Sequence, residues 1–135
     1  MALKTFKPYT KSTRTTVLVD RKNIWKGSPY KKLTRGKISS GGRNNLGRIT
    51  SRAKGAGHKK RYRIIDFHRN KIDIKGKVER IEYDPNRSSY IILVKNDKEK
   101  KFYYIAPQGI KVGDKIENGE NCEIKNGNCM ELKNI

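Results

Sequence analysis

The residues of this chain that could do chemistry are two histidines, two cysteines and thirteen carboxylates. Cys122 and Cys129 match no zinc-ligand spacing, and His58 and His68 are far from them in the sequence. Neither histidine has a nucleophile or an acid at a spacing that suggests catalysis. We therefore expect no catalytic residue, no metal site and no cofactor, and we expect both cysteines to be free, inert thiols.

The carboxylates provide no better candidate for a catalytic site. Glu79 and Glu82 lie in a predicted strand, and Asp66 and Asp73 are isolated among lysines and arginines. Such residues are usually salt-bridge partners or solvated strand residues, each contributing roughly 0 to 1 kcal/mol to stability. These patterns disfavour an enzyme.

The glycine-rich sequence KGAGHKKRYR, residues 54–63, invites comparison with a nucleotide-binding P-loop. That motif requires Gly-Lys followed by Ser or Thr at the start of a helix. Here Gly57 is followed by His58 and two lysines, and then by a predicted strand. The sequence instead favours a flexible backbone whose amide groups and neighbouring cations bind the phosphates of a folded nucleic acid.

The formal net charge of +20 and the pI near 10.2 indicate a polyanionic partner. Residues 41–63 alone carry eight lysines or arginines and no acid. RNA, DNA and an anionic membrane all meet this requirement. A membrane is the weakest of the three, because no apolar run approaches the roughly 20 residues that span a bilayer and the N-terminus has no apolar signal-peptide core. We expect a nucleic-acid partner and no membrane partner.

Charge and apolar residues are distributed in opposite ways along the chain. Residues 1–60 contain 17 lysines or arginines against one acid, giving +16, and residues 61–135 contain 16 against 12, giving +4. Leu, Ile, Val and Phe supply 10 of the first 60 residues but 19 of the last 75. We therefore predict an extended basic N-terminal arm over residues 1–60 and a compact domain over residues 61–135.

The compact domain is predicted to be all-β. Its apolar segments are short, rich in β-branched and aromatic residues and separated by turn-forming residues, and helical periodicity is absent. Turns are predicted at DPNRS and NDKE, and a last hairpin at Asn126-Gly127 that places Ile124 opposite Cys129. Five or six strands in about 70 residues suggest a small barrel; the five-stranded OB type is the one most used for nucleic acid, although an SH3-like barrel has the same periodicity. The predicted strands are residues 62–67, 76–83, 89–95, 101–106 and 110–119.

Four longer motifs resemble a known family. SGGRNNLGRIT and KGAGHKKRYRIIDF, followed by VERIEYDPNRSSYIILV and APQGIKVGD, are similar to the N-terminal part of large-subunit ribosomal protein 2 of the bacterial and organellar type. The similarity extends over essentially the whole chain. It implies an OB-fold RNA-binding domain, preceded by an extension that threads among segments of large-subunit rRNA.

The resemblance also implies which residues contact rRNA. Arginine offers a planar fork to phosphate, and asparagine can reach sugar or base edges. Two positions depart from the usual motif: Ala53 follows Arg52, and Ala56 stands where the family has a glycine, so that a positive φ would be resisted there. Lys54 and Arg69 are added on charge alone. The residues implied by the motif are Arg43, Asn44, Asn45, Arg48, Arg52, His58, Lys59, Lys60, Arg61 and Arg63.

In the family an SH3-like domain follows the OB domain, and the sequence here stops at Ile135 without it. Because Met1 resembles a natural start, we expect the N-terminal half of a split protein whose SH3-like C-terminal half is a separate chain, with a truncated product as the alternative. The excess of lysine over arginine, with abundant Ile and Asn, suggests an AT-rich coding sequence. We favour the mitochondrial matrix on this basis, with the bacterial cytoplasm as the alternative.

The sequence thus predicts a structural constituent of the large ribosomal subunit that binds and stabilises rRNA during translation, with neighbouring ribosomal proteins as further partners. The alternative is a free-standing OB-fold binder of single-stranded nucleic acid, such as an RNA chaperone, which would require exposed aromatic residues. An RNA-processing enzyme would require an acid cluster or a metal site, which the sequence does not show. Tyr103 and Tyr104 must point to opposite faces of their strand. The aromatic candidates for stacking are Tyr62, Tyr83, Tyr90, Phe102, Tyr103 and Tyr104.

Overall fold

Strands dominate the structure, a computed structural model that describes residues 3–55, 57–69, 74–120 and 122–134. Within these residues the strands form a four-stranded antiparallel sheet and two short two-stranded ribbons. In chain order the elements are β1 (Leu3–Thr5), α1 (Lys11–Thr15), β2 (Val17–Val19), β3 (Thr34–Gly36), β4 (Arg61–Arg63), β5 (Ile74–Glu82), β6 (Ile91–Asn96), β7 (Lys101–Ile105) and β8 (Lys115–Asn118), with 3₁₀ turns at Lys31–Leu33 and Leu132–Asn134.

The four-stranded sheet has the order β7-β6-β5-β8, with every neighbouring pair antiparallel, and it curls into half a barrel. The turn between β6 and β7 forms where NDKE predicts it. The Asn96 side-chain oxygen accepts a hydrogen bond from the Asp97 amide, and the Asn96 carbonyl accepts one from the Glu99 amide at 2.8 Å. The all-β prediction is confirmed.

A β-bulge at Glu79 changes the face to which the residues of β5 point. Val78 pairs with Val94 and Arg80 pairs with Leu93, so Glu79 is one extra residue in its strand. Side chains that would have alternated regularly therefore exchange faces beyond the bulge. Val78 and Ile81, three positions apart, therefore contact the same apolar cluster, whereas Glu82 meets Tyr103 on the other face.

Both faces of the sheet are covered, which explains why β6 is apolar at four consecutive positions. Tyr103 and Tyr104 are each at most 1% exposed and lie in different clusters, as expected for neighbours in a strand. One cluster contains Val78, Ile92, Val94, Tyr104 and Ile116, and the other contains Ile65, Ile91, Leu93 and Tyr103.

Residues from the predicted arm cover the second face. Tyr30 and Leu33 pack against the cluster that contains Tyr103. The Tyr103 hydroxyl accepts a hydrogen bond from the Tyr30 amide and donates one to the Glu82 carboxylate, both at 2.9 Å. Burial raises the pKa of Tyr103 to about 12, so the hydroxyl keeps its proton at neutral pH. Trp25 adds a parallel β-bridge to Glu82, and this part of the arm is therefore fastened to the sheet. The domain boundary at residue 60 remains a prediction.

Two predicted strands are shorter than expected. Of residues 62–67, only the first two belong to β4, because the chain then leaves β3 and the Asp66 amide donates to a carbonyl of β7. Of residues 110–119, only four form β8, because the Asp114 carboxylate accepts a hydrogen bond from the Lys111 amide at 2.7 Å and closes a turn.

The predicted last hairpin at Asn126-Gly127 is wrong. A turn does form there, but its flanks do not pair with Ile124 opposite Cys129; Cys129 instead makes a parallel bridge to the end of β8. The Asn128 side chain accounts for this. Its oxygen accepts a hydrogen bond from a backbone amide of β8 at 2.9 Å, and its amide donates to a carbonyl of the preceding loop at 2.8 Å.

The N-terminal residues form a ribbon, β1 with β2, around a short helix that the sequence did not predict. The helix α1 begins after Thr10, which exchanges hydrogen bonds with Thr13 in a capping box. Five residues are too few to show a helical period, which explains why periodicity missed it. Within the described ranges, no helix has the length and apolar character needed to cross a bilayer.

Candidate nucleic-acid interface

The strand β4 carries two of the predicted RNA contacts in very different surroundings. It pairs antiparallel with β3, and Gly36 lies opposite Arg61. Arg61 is exposed. Arg63 is only 9% exposed, and its guanidinium lies 3.8 Å from the carboxylate of Asp84. The two arginines therefore cannot be equivalent in binding a partner.

Asp84 joins β4 to the turn that follows β5. Its side chain is fully buried; one oxygen accepts a hydrogen bond from the Asn86 amide at 3.0 Å, and the other accepts one from Arg87 Nε at 2.8 Å. Burial raises the pKa of Asp84, but the hydrogen bonds from Asn86 and Arg87 outweigh burial and hold that pKa below its ordinary value. The Asn86 side chain also donates to the Arg61 carbonyl at 2.7 Å. An ionised Asp84 thus fixes the path of β4.

Residues 41–51 form a compact loop within the predicted extended arm. Gly41 and Gly42 have φ of 57° and 76°, and the Gly42 carbonyl accepts hydrogen bonds from Thr50 and Ser51 at 2.9 and 3.2 Å. A Cβ at Gly42 would lie 2.3 Å from the Ser51 carbonyl oxygen. Only glycine fits this position without a shift of the backbone.

Asn44 organises the tip of this loop. Its side-chain oxygen accepts hydrogen bonds from the amides of Leu46 and Arg48, at 3.0 and 2.9 Å. The backbone amide of Asn44 donates a hydrogen bond to the Arg48 carbonyl at 3.0 Å. The side-chain oxygen of Asn44 is therefore engaged within the loop, whereas Asn45 and the Arg48 side chain are exposed.

The twelve residues predicted to contact rRNA fall into two groups. Arg63 has its buried carboxylate partner, and Arg69 donates to the Gly127 carbonyl at 2.6 Å with its guanidinium 4.3 Å from the Tyr104 ring. These arginines, and the oxygen of Asn44, have internal roles that charge and motif did not reveal. RNA contact by any of the twelve remains a prediction. Arg43 also donates from its guanidinium to the Gly41 carbonyl, although its side chain is exposed. The other nine, all exposed, are Arg43, Asn45, Arg48, Arg52, Lys54, His58, Lys59, Lys60 and Arg61.

The structure brings three predicted residues together with two that the sequence did not single out. His58, Lys59 and Lys60 line one surface cleft with Lys37 and Ser39. The pairing of β3 with β4 places these segments side by side. Because β3 and β4 are far apart in the chain and only three residues long, the sequence carries no signal for that pairing.

Among the described residues, the cations of residues 23–60 lack acidic partners, whereas most of those in the sheet strands have one. On the sheet, carboxylates neutralise lysines and arginines, as Glu79 does for Lys101 at 2.6 Å. Among the described residues, no lysine or arginine in 23–60 lies within 4.0 Å of a carboxylate. The sequence has no acid between Asp20 and Asp66. The positive charge is thus concentrated where the chain itself does not neutralise it.

The aromatic candidates for base stacking are mostly unavailable. Tyr103 and Tyr104 are buried, and Phe102 packs against the core. Tyr62 and Tyr83 are 38% and 37% exposed, but an arginine guanidinium lies 6.0 and 3.7 Å from their respective ring centroids. Most of the predicted stacking platform is therefore inside the molecule or next to arginine.

Of the two positions that depart from the family motif, Ala53 and Ala56, the structure describes only Ala53. Ala53 has a φ of 57°, a left-handed conformation that costs a residue with a Cβ roughly 1 to 2 kcal/mol. Ala56, and also Asp73 among the acids, lie outside the described residues. The chain thus adopts a left-handed conformation at Ala53 despite its Cβ.

The part of the chain that the structure describes contains no group of three or more His, Cys, Asp or Glu side chains that could hold a metal ion. Cys122 and Cys129 are not joined by a disulfide. Among the carboxylates, Glu82 has Arg80 and Tyr103 as partners. The geometry therefore offers a cationic binding surface as the candidate site.

Comparison with known proteins gives a family match over most of the chain. Residues 30–118 match the family model described as Ribosomal Proteins L2, RNA binding N-terminal domain. The chain is 67% identical over 136 residues to large ribosomal subunit protein uL2 of Pelagibacter ubique (strain HTCC1062). It is 57% identical to the protein of that name from Beijerinckia indica subsp. indica and 56% identical to that from Rickettsia canadensis, each over 135 residues.

These alignments cover 100% of this chain but 48%, 48% and 50% of the three relatives. The chain therefore spans about half the length of the curated relatives it matches. The predicted OB-type fold is confirmed. The three relatives are bacterial, so the comparisons do not support the mitochondrial preference, and the bacterial alternative fits them.

Proposed function

This chain belongs to the family of ribosomal protein L2, and on that premise we propose that it is a structural, rRNA-binding component of the large ribosomal subunit. It binds and stabilises folded rRNA during translation and carries out no reaction of its own. Its partners are large-subunit rRNA and neighbouring ribosomal proteins. Because the relatives are bacterial, we assign it to a bacterial ribosome in the cytoplasm.

The observation that carries this proposal is the set of exposed cations in residues 23–60 that have no acidic partner among the residues described by the structure. A surface of this kind repels itself and is stabilised when a polyanion supplies the missing negative charge. Phosphate contacts of this type provide most of the affinity for nucleic acid. The sheet, in which carboxylates pair with Lys75, Arg80, Lys95 and Lys101, serves as the support.

A second observation supports a folded RNA as the ligand. The loop 41–51 and the strand β4 are held by internal hydrogen bonds, so the backbone positions from which their cations extend are defined. Cations that extend from an ordered backbone favour an RNA whose phosphates are themselves held in a matching arrangement, because less order has to be created on binding. Disordered basic tails lack this selectivity.

Equilibrium binding of the purified chain to transcribed large-subunit rRNA of Pelagibacter ubique, at several salt concentrations, tests the proposal. If about eight cations contact phosphates, the logarithm of the affinity should fall against the logarithm of the salt concentration with a slope of roughly −6 to −7. A slope near −2 would contradict the role of the basic segment. Equal affinity for unstructured poly-uridine would instead favour a general single-strand binder.

A further inference from the structure

We propose that the cleft between the segments next to β3 and β4 binds the sugar-phosphate backbone of an RNA strand, and that Lys37 and Ser39 complete this site. The opposite wall is formed by His58, Lys59 and Lys60. This inference rests on the proposed function and deepens it. It adds a second segment of the chain, on the far side of the cleft, to the residues that the family motif implies.

The cleft begins where the ladder between β3 and β4 stops. The last pair is Gly36 with Arg61, and beyond it the two segments separate and form the walls. Gly57 lies in the cleft with a φ of 63°, a conformation that favours glycine. Asn86 and the β3–β4 ladder hold the Arg61 backbone, so the end of the cleft at Gly36 and Arg61 is ordered before any ligand arrives.

The charge in the cleft is uncompensated. Lys37, Lys59 and Lys60 supply three ammonium groups, and none of them forms an ion pair with any described residue. The lining contains no acid. Three lysines that line one cleft from two segments repel one another, and an anion between the two walls reduces that repulsion.

The remaining lining chemistry favours a nucleic-acid backbone over other anions. The Ser39 hydroxyl can donate to a phosphate oxygen or a ribose hydroxyl, and the lysines act as point charges for phosphate. Ile38 lies between the two polar residues of its wall and is 96% exposed, so it offers an apolar contact to a ribose or a base face. A mononucleotide would require a more enclosed site, whereas an open cleft accommodates a continuing strand.

The salt dependence of binding to the same Pelagibacter rRNA distinguishes a phosphate contact from a general loss of charge. With Lys37→Ala, the slope should become shallower by about 0.7 to 0.9, the contribution of one phosphate contact. Lys37→Arg should restore the wild-type slope because it keeps the charge. Lys98→Ala, in the exposed turn between β6 and β7, removes the same charge away from the cleft and should leave the slope unchanged.

Ser39→Ala tests the uncharged hydrogen-bond donor of the cleft separately. It should lower the affinity severalfold at every salt concentration without changing the slope, because it removes a hydrogen bond and no charge.

If wild type binds rRNA tightly and both Lys37→Ala and Lys98→Ala keep the wild-type slope, the proposal that the cleft binds the RNA backbone is overturned, while the proposed function stands. Failure of the wild-type chain to bind rRNA would overturn the proposed function itself. Displacement of the rRNA by polyglutamate at equal charge concentration would overturn the choice of a phosphate backbone in favour of an acidic protein.

Discussion

At the scale of single residues, Asp84 explains why two arginines that look alike in the sequence differ in the structure. The motif places Arg61 and Arg63 together among expected RNA contacts, yet the buried carboxylate faces Arg63 and leaves Arg61 exposed. Asp84 and Arg63 are far apart in the chain, so their pairing depends on the fold and not on local sequence. Charge alone likewise suggested Arg69, whose guanidinium is hydrogen-bonded inside the molecule.

Replacing the carboxylate of Asp84 should destabilise the protein because it leaves buried guanidinium groups without a counter-charge. For Asp84→Asn we expect a loss of about 3 kcal/mol in the free energy of unfolding, measured by urea denaturation. Glu99→Gln provides the control, since it removes a carboxylate from an exposed pair with Lys95. Equal urea midpoints for the two variants would show that Asp84 does not have this role.

The same carboxylate should make stability depend on pH in the acid range. Because the folded protein holds the pKa of Asp84 below its ordinary value of about 3.9, the stabilisation is complete above that value and is lost as the pH falls through the lower, folded pKa. The difference in urea midpoint between wild type and Asp84→Asn should be constant from neutral pH to about pH 5 and should shrink below about pH 4. A difference that grew on acidification would have the wrong sign for this mechanism.

At the scale of elements, the Tyr103 hydroxyl fastens the segment around Tyr30 to the sheet. Tyr103→Phe removes one acceptor and one donor and should cost about 1 to 3 kcal/mol, with faster amide hydrogen exchange at Tyr30. Tyr104→Phe is the matched control, because the hydroxyl that it removes faces Asn118 of β8 and makes no hydrogen bond to the segment around Tyr30. Similar losses in both variants, without faster exchange at Tyr30, would argue against the fastening.

The loop 41–51 offers a comparison between two glycines with the same backbone conformation. Gly42 and Gly47 both have a φ of 76°, but a Cβ meets the Ser51 carbonyl only at Gly42, and nothing lies within 4 Å at Gly47. Gly47→Ala should therefore cost only the strain of positive φ, roughly 1 to 2 kcal/mol. Gly42→Ala should in addition displace the loop, shown by lost exchange protection of the Thr50 amide and weaker rRNA binding. Retained protection in Gly42→Ala would contradict the packing described.

Elements of the fold were predictable where local chemistry specifies them. The turn at Asn96 follows from a side chain that bonds its own neighbour, and the apolar run of β6 follows from burial on both faces. The prediction of a hairpin at Asn126-Gly127 was wrong because the Asn128 side chain accepts a hydrogen bond from β8, a contact outside the local sequence. The cleft beside Lys37 also depends on a pairing of distant segments, which is why only its other wall was expected.

At the scale of the whole molecule, the unneutralised charge and most of the core lie in different parts of the chain, but these two parts are in contact. The sheet neutralises most of its own charge, whereas the region 23–60 does not, and Tyr30 and Leu33 from that region complete the core. Anchoring the basic region to the sheet keeps its cations from spreading apart, although they repel one another. The cations therefore lie close together before a polyanion binds, and their mutual repulsion lowers the stability of the free protein.

Sedimentation of a lysate from cells that carry this chain, with the chain quantified by mass spectrometry, tests the central claim most directly. A structural rRNA-binding component should be recovered at one copy per large subunit at low salt and should be released as the salt concentration rises, because its contacts are to phosphate. Recovery at low salt mainly in the free fractions, or with single-stranded RNA that sediments apart from the large subunit, would contradict the account.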